Sequence, residues 1–321
     1  MGLIRLVSIM LMVLAAPLPA AAQNFPLRPV RLIQGFAPGG NVDTVARILS
    51  QEMSKGLEQP VVVESRPGAG GTIGADVVAK SAPDGYTLYL MPGGHAVAGA
   101  LYKTLPYQTV DSFDMISTAL FFPSVIISRP DMPAKSIREL LDLARAKPGS
   151  VAYGSAGIGS TQHLTGELLG SMAGVKFLHV PYKGGAAATT GMLGGDTHFV
   201  VTTATEVLGS IRAGKMRGLA VTGPTRWQGL PDVPTVAEGG VAGFDVRSWM
   251  GVAGPSGLPP AIVERLNAEM QRVLRTPEVR TRLEEIGGDV RGSTPAEMRA
   301  RVATEWKNWQ QVIRQTGIEQ Q

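Results

Sequence analysis

The chain of 321 residues contains no cysteine and only four histidines. The lack of cysteine excludes disulfide bonds, a thiol nucleophile, zinc held by thiolates and iron–sulfur clusters. The histidines stand at positions 95, 163, 179 and 198, and none has a partner four residues away, which is the spacing used in zinc-peptidase helices. We therefore predict neither a metal site nor a cofactor.

Charged residues are also scarce, at 17% of the chain, with 30 basic residues against 26 acidic ones. Many of them alternate in sign near the C-terminus, which is typical of solvated helix faces, so we expect no binding to nucleic acid.

Glycine and proline are plentiful, at 40 and 23 residues, and they are spread between apolar runs. This distribution indicates many tight loops in a folded protein rather than disorder.

Long apolar runs are missing after the N-terminus, where residues 1–22 have the order of a secretory signal peptide. Arg5 precedes an apolar stretch at 6–16, and two prolines and three alanines follow it. The stretch is about half as long as a membrane-spanning helix, which favours a cleavable signal over an anchor. We predict cleavage after Ala22 and export of a soluble mature protein.

Short β-like runs then alternate with short helical patterns. In the first unit, residues 30–33 read as a strand, 37–40 as a loop, and Val45, Ile48, Leu49 and Met53 as one apolar helix face. Repetition of such units predicts parallel, doubly wound sheets in two α/β lobes. We predict a capping box that starts a helix at Ser136, and C-terminal helices at 260–276, after Pro277 and at 295–313.

Glycine-rich loops follow four predicted strands, in both lobes. In an open α/β sheet, ligands bind at the carboxyl ends of the strands, where the N–H groups and dipole of the next helix favour an anion. Glycine lets the backbone approach such a ligand closely. The loops carry almost no basic residue except Lys183. We expect a small anion held by backbone N–H groups, hydroxyls and ordered water.

Single loop residues have structural alternatives. Asp43 and Ser160 fit helix N-caps, His163 fits a buried core histidine, and Tyr182 fits a packing role. Enzyme motifs fail, since residues 153–157 resemble a nucleophile elbow but begin with tyrosine in place of glycine. No nucleophile with its base is found, and we predict that the protein is not an enzyme.

Five motifs occur in order along the mature chain. They are Gly-Phe-Ala-Pro-Gly-Gly at 35–40 with Asp43 and Arg47, Glu-Ser-Arg-Pro-Gly-Ala-Gly-Gly at 64–71, Tyr-Gly-Ser-Ala-Gly at 153–157 with His163, Val-Pro-Tyr-Lys-Gly at 180–184, and Leu-Pro-Asp-Val-Pro-Thr at 230–235 with Glu238. Together they resemble the substrate-binding proteins of tripartite tricarboxylate transporters, the Bug family. Two positions depart from the family pattern, Ser65 for the usual Asn and Gly191 for a commonly acidic residue.

The resemblance implies the α/β two-lobe periplasmic-binding-protein fold of type II, a Venus flytrap with two crossover strands. The crossovers would lie near residues 121–126 and 246–251. Lobe 1 would then be discontinuous, with residues 23–122 plus 249–321, and lobe 2 would hold residues 123–248. Such a protein is expected to close around its ligand.

The resemblance also implies a receptor that binds a small carboxylate, such as a di- or tricarboxylate, an acidic amino acid or an aromatic acid. It would deliver this ligand to the membrane permease subunits of a tripartite tricarboxylate-type transporter, and we expect a monomer. The alternatives are a secreted α/β enzyme acting on a small organic acid and a receptor that feeds a signalling partner. The predicted ligand-binding residues are Phe36, Ala37, Pro38, Gly39, Gly40, Asp43, Gly94, His95, Ser155, Ala156, Gly157, Ser160, Thr161, His163, Tyr182, Lys183 and Thr203.

Overall fold

The structure is a computed structural model that describes residues 25–36, 38–157, 160–182, 184–316 and 318–320. The predicted signal peptide, Ala37 and Lys183 lie outside the described residues. The strands are β1 (Val30–Gln34), β2 (Val61–Ser65), β3 (Thr87–Pro92), β4 (Phe113–Ser128), β5 (Ala152–Ser155), β6 (Leu178–Pro181), β7 (Phe199–Thr203), β8 (Arg217–Val221), β9 (Arg247–Pro255) and β10 (Asp289–Val290). The helices are α1 (Asn41–Leu57), α2 (Thr72–Ala79), α3 (Gly94–Leu101), α4 (Ile137–Ala146), α5 (Thr161–Ala173), α6 (Gly185–Gly194), α7 (Ala204–Arg212), α8 (Pro260–Arg275), α9 (Pro277–Glu285) and α10 (Pro295–Thr316).

Local sequence accounts for most of these elements. The apolar face predicted for α1 is buried at Val45, Ile48, Leu49 and Met53. The capping box at the start of α4 is confirmed, because the hydroxyl oxygen of Ser136 accepts a hydrogen bond from the N–H of Glu139 at 3.2 Å. The three C-terminal helices are also confirmed, each beginning with proline at its first helical position.

The strands form two sheets that share β4. In the first sheet the order is β2-β1-β3-β9-β4, with β10 on the outer edge of β4, and in the second sheet β8 and β7 flank β4, followed by β5 and β6. β1 is parallel to both β2 and β3, and β5 is parallel to both β6 and β7. The repeated strand–helix units therefore produce parallel sheet segments, as predicted.

The chain crosses between the sheets along β4. Residues 113–123 of this strand pair with β9, whereas Ser124 pairs with Thr203 of β7. The chain returns before β9, where the N–H of Val246 donates to the carbonyl of Thr222 at 2.9 Å. Both transitions fall within the ranges given for the crossovers.

Strand direction makes the parallel segments of the two sheets face each other. β3 is antiparallel to β9 and β9 is antiparallel to β4, so β3 runs in the same direction as β4. β7 is antiparallel to β4. The carboxyl ends of β1 to β3 therefore point toward the second sheet, and those of β5 to β7 point toward the first.

Helices cover both faces of each sheet. Around the first sheet, α1, α8 and α9 bury one apolar cluster, and α2 and the start of α10 bury another. Around the second sheet, α4 and α5 cover one face, and α6 and α7 cover the other. Among the described residues, no helix combines the length and apolar character needed to span a membrane.

Helix α10 contacts both halves of the molecule. Met298 and Val302 near its start belong to the core of the first sheet. Trp309, Val312 and Ile313 near its end pack in the same cluster as Leu164 and Leu169 of α5. The C-terminal segment that was predicted to belong to lobe 1 thus packs against helices of both sheets.

Candidate functional site

The loop after β1 is shaped by buried polar contacts. The side-chain amide oxygen of Gln34 accepts from the N–H of Phe36 at 2.7 Å. The carboxylate of Asp43 accepts from the N–H of Gly39 at 3.0 Å and from the guanidinium of Arg47 at 2.9 Å. The bond to Arg47 is the main cause that lowers the pKa of Asp43. Asp43 is therefore a buried loop anchor in the first turn of α1, and not its N-cap.

Close backbone approach explains two glycines beside this loop. A side chain on Gly35 would place its Cβ 2.6 Å from the Cα of Gly71, which real structures do not tolerate. The Phe36 ring in turn lies over Gly71. A Cβ atom added to Gly71 would be 3.2 Å from this ring. The loops after β1 and β2 are thus packed together, and Pro38, Gly39 and Gly40 are left exposed at the tip.

Helices that follow the parallel strands mostly begin without a side-chain cap. The N-cap residues of α1, α3, α6 and α7 make no side-chain hydrogen bond to the helix. Among the helices that do not follow parallel strands, α4 and α10 begin with serine or threonine capping boxes, whereas α8 and α9 begin with proline and also have no side-chain cap. The first N–H groups of an α-helix have no partner within it and carry partial positive charge. At the strand ends these donors are available to ligand oxygens. The uncapped N-cap residues are Gly40, Gly93, Gly184 and Thr203.

The starts of α3 and α5 lie close together although they belong to different halves. Gly94 and Thr161 line one cavity of about 60 Å³. Arg247 of β9 and the pair Arg301 and Glu305 of α10 line the same cavity. The structure thus brings together two of the predicted ligand residues, one from each half, beside the crossover strands.

His95 is directed away from this cavity. Its ring is buried against the aromatic rings of Tyr107 and Phe113, with centroids 5.6 and 5.0 Å away. Its Nε2 atom is 2.8 Å from the carbonyl oxygen of Thr109, to which the neutral ring donates. Burial lowers the pKa of His95 to about 4. The ring therefore belongs to the aromatic core.

The loop after β5 leads directly into α5. Ser160 is the N-cap of this helix, since its hydroxyl accepts from the N–H of His163 at 3.1 Å. Thr161, Ala156 and Gly157 are half-buried, whereas Ser155 is fully buried. The side chain of Ser160 therefore serves as an N-cap. This role leaves the backbone of the loop free to contact a ligand.

His163 is a buried histidine that stacks on a second one. The ring centroids of His163 and His179 are 3.8 Å apart, with planes 16° from parallel. Burial lowers the pKa of both rings to about 4, so they are neutral at neutral pH. His179 was not among the residues predicted for the site. His179 comes close to His163 because β6 pairs with β5, which places His179 opposite Tyr153.

The backbone of Tyr182 is bonded to the loop after β5, and its ring packs against the core of the second sheet. Its N–H donates to the carbonyl of Ser155 at 3.1 Å. The ring packs in the cluster between the second sheet and α6, against Gly154 and Gly191, where a side chain at either glycine would meet it. Gly191 thus makes room for Tyr182. Thr203, at the end of β7, is half-exposed and precedes α7.

Two further features lie near the crossover strands. Glu305 accepts a hydrogen bond from the indole N–H of Trp249 at 2.7 Å and forms an ion pair with Arg301 at 2.9 Å. Burial raises the pKa of this carboxyl.

A larger cavity of about 480 Å³ flanks Phe121, but none of the predicted ligand residues lines it. Within the described ranges, no group of three His, Asp or Glu side chains is placed to hold a metal ion.

Facing α/β sheets joined by crossover strands, with helix N-termini at the opposed strand ends, define the class of periplasmic solute-binding proteins. The model of the tripartite tricarboxylate transporter family receptor, TctC, matches residues 45–318, and the chain belongs to this family. The family and fold class predicted from the sequence are therefore confirmed. Its members are receptors of transport systems and not enzymes.

Three solved structures cover nearly the whole chain. The periplasmic binding protein BugD is 36% identical, with a TM-score of 0.74 over 92% of this chain and 100% of that one. An R. palustris protein solved with adipate is 34% identical, with a TM-score of 0.76 over 92% and 99% of the two chains. MatC from Rhodopseudomonas palustris, solved with bound malate, is 33% identical, with a TM-score of 0.73 over 90% and 100%.

Proposed function

We propose that this protein captures a small dicarboxylate between two lobes, 23–122 plus 249–321 and 123–248. The observation that carries the proposal is the opposition of helix N-termini across the crossover strands, where α1, α3, α6 and α7 have no side-chain cap. Backbone N–H groups and helix dipoles at these positions suit a carboxylate. The adipate and malate bound by relatives support this ligand class.

In the proposed site, most ligand contacts come from the backbone. Residues 36–40 contribute from the first lobe with Gly94, and residues 155–157, 160–161, Lys183 and Thr203 contribute from the second. Asp43 anchors its loop through Gly39, and the ring of His163 stacks on that of His179. The side chains of His95 and Tyr182 serve the core instead.

The proposed partners are the permease subunits of a tripartite tricarboxylate-type transporter, with the receptor acting as a monomer in the periplasm. Family membership supports a transport role. Calorimetric titration of the mature protein with malate and with adipate tests the ligand class. We expect saturable binding of at least one acid at a one-to-one ratio. No heat with either acid, in a protein with a normal melting curve, would contradict the proposal for four- and six-carbon dicarboxylates.

Ligand binding is expected to reduce the radius of gyration. The two halves are joined by strands near Ser124 and Arg247, which permit hinge motion, and each half contributes helix starts to the site. Small-angle scattering with and without saturating malate or adipate, whichever binds, measures the change. An unchanged scattering curve at saturation would show that this protein does not close on its ligand.

Export should remove the first 22 residues. The order of basic, apolar and small residues before Gln23 motivates this prediction. Mass spectrometry of the periplasmic fraction from a Gram-negative host should find a chain that begins at Gln23. A periplasmic chain that still begins at Met1 would rule out cleavage.

A further inference from the structure

The loop after β5 is held by hydrogen bonds on a buried hydroxyl. Ser155 is fully buried, and its Oγ atom lies 2.7 Å from Nε2 of His179. The same Oγ atom is 3.1 Å from the backbone nitrogen of Gly157 and 3.2 Å from the backbone oxygen of Gly157. These contacts tie the loop to its own backbone and to the neighbouring strand β6.

Only one arrangement of the protons makes all three contacts hydrogen bonds at once. A serine hydroxyl donates one hydrogen bond and accepts up to two. The Gly157 N–H can only donate and the Gly157 carbonyl can only accept, so in this arrangement the hydroxyl proton points to the carbonyl. The remaining contact is then satisfied only if Nε2 of His179 carries a proton and donates it to Ser155. Because the ring is neutral, its other nitrogen carries none.

We infer that His179 is a positioning residue, whose Nε2–H group fixes the Ser155 hydroxyl and thereby the loop at residues 155–157, while this hydroxyl makes no hydrogen bond to the ligand. This inference rests on the proposed function, in which the loop presents backbone groups to a carboxylate. The side chain of Ser155 then supports the loop, and only the backbone of this residue is left to contact the ligand.

The surroundings of His179 hold its ring in this orientation. His163 stacks on one side, and the ring of Tyr153 lies 4.9 Å away between centroids. The hydroxyl of Tyr153 donates to the carboxylate of Glu167 at 2.7 Å, which directs that charge toward the tyrosine. The ring is thus placed by packing, and its Nε2 atom faces Ser155.

The first test needs no ligand. Nitrogen-15 NMR of the unliganded protein at neutral pH distinguishes the two neutral forms of each imidazole ring. We expect the Nε2–H form for His179. The Nδ1–H form would overturn the inference, because Ser155 would then donate to the ring and leave its bond to the Gly157 carbonyl unmade.

The second test compares Ser155→Ala, His179→Phe and the double variant by calorimetry with malate or adipate. Ser155→Ala removes all three contacts of the hydroxyl, and His179→Phe removes the contact that fixes the hydroxyl, so we expect about a tenfold loss of affinity from each. The double variant should lose no more than either single one, because both act through the same contact. His179→Gln, which keeps an N–H donor, should recover most of the loss. A double variant about a hundredfold weaker would overturn the inference, since additive losses mean that Ser155 contacts the ligand by itself.

His198→Phe is the matched control. His198 accepts from the N–H of Ala152 at the opposite end of β5, so its replacement disturbs the same strand without touching the loop, and affinity should stay unchanged. If His179→Phe does not fold, Ser155→Ala and His179→Gln decide the matter, with a tenfold loss expected for the first and near wild-type affinity for the second. If the wild type binds neither acid, the proposed ligand class fails while the NMR result still decides the inference.

Discussion

Thr161→Asp should fold normally and bind its carboxylate at least tenfold more weakly. Thr161 is the first residue of α5, where an acidic side chain stabilises the helix by about 0.3 to 1 kcal/mol through its dipole. If a ligand carboxylate lies against the same helix start at about 4 to 6 Å, repulsion costs roughly 2 to 4 kcal/mol at an effective dielectric near 20. Each 1.4 kcal/mol is about a factor of ten in affinity. Calorimetry with malate or adipate measures the loss.

Ala261→Asp is a matched control for the new charge. Ala261 is exposed in the first turn of α8, which has no acidic residue there, and α8 packs behind the first sheet. The same dipole effect is expected without repulsion of the ligand, so affinity should be unchanged. If Thr161→Asp binds as the wild type does and both variants melt normally, the carboxylate site is not at this helix start.

Acid should destabilise the protein in part through His95. Its folded pKa of about 4 lies below the unfolded value of 6.5, so its contribution is present above pH 6.5 and is lost as the pH falls toward 4. Between pH 7 and pH 4.5 this loss amounts to about 2 to 3 kcal/mol of the free energy of unfolding. Urea unfolding at both pH values measures it.

His95→Gln isolates this contribution, because glutamine can still donate to the Thr109 carbonyl but does not titrate. The variant should be less stable than the wild type at pH 7, since it loses the aromatic contacts, yet it should lose about 2 to 3 kcal/mol less on acidification. Equal losses in His95→Gln and the wild type would contradict the effect.

The elements that could be predicted from the sequence are those whose signals are local. The face of α1 repeats every three to four residues, and the capping box of α4 needs only four residues. Glycine loops after strands likewise pointed to the edge of the sheet where helix starts are exposed. The family resemblance added the order of the motifs, and with it the crossovers.

What could not be predicted depends on contacts between distant residues. His179 reaches Ser155 only because β6 pairs with β5 in one particular register. His95 and Tyr182 stand beside glycines, as the other predicted ligand residues do. Their rings are nevertheless placed by Phe113 of β4 and by the space that Gly191 of α6 leaves free. The apolar residues of α10 also do not indicate that its two ends pack against different halves of the molecule.

The position of β9 between β3 and β4 determines which half of the molecule can fold first. This strand supplies the middle of the first sheet, yet it begins only at Arg247. The segment 124–246 holds β5 to β8 and their helices, and it can assemble from neighbouring units once it has been exported. The first half must wait until about three quarters of the chain have been exported, because its central pairings join distant residues. A chain arrested before β9 would therefore present an unfilled sheet with open edges, a state well suited to chaperone binding.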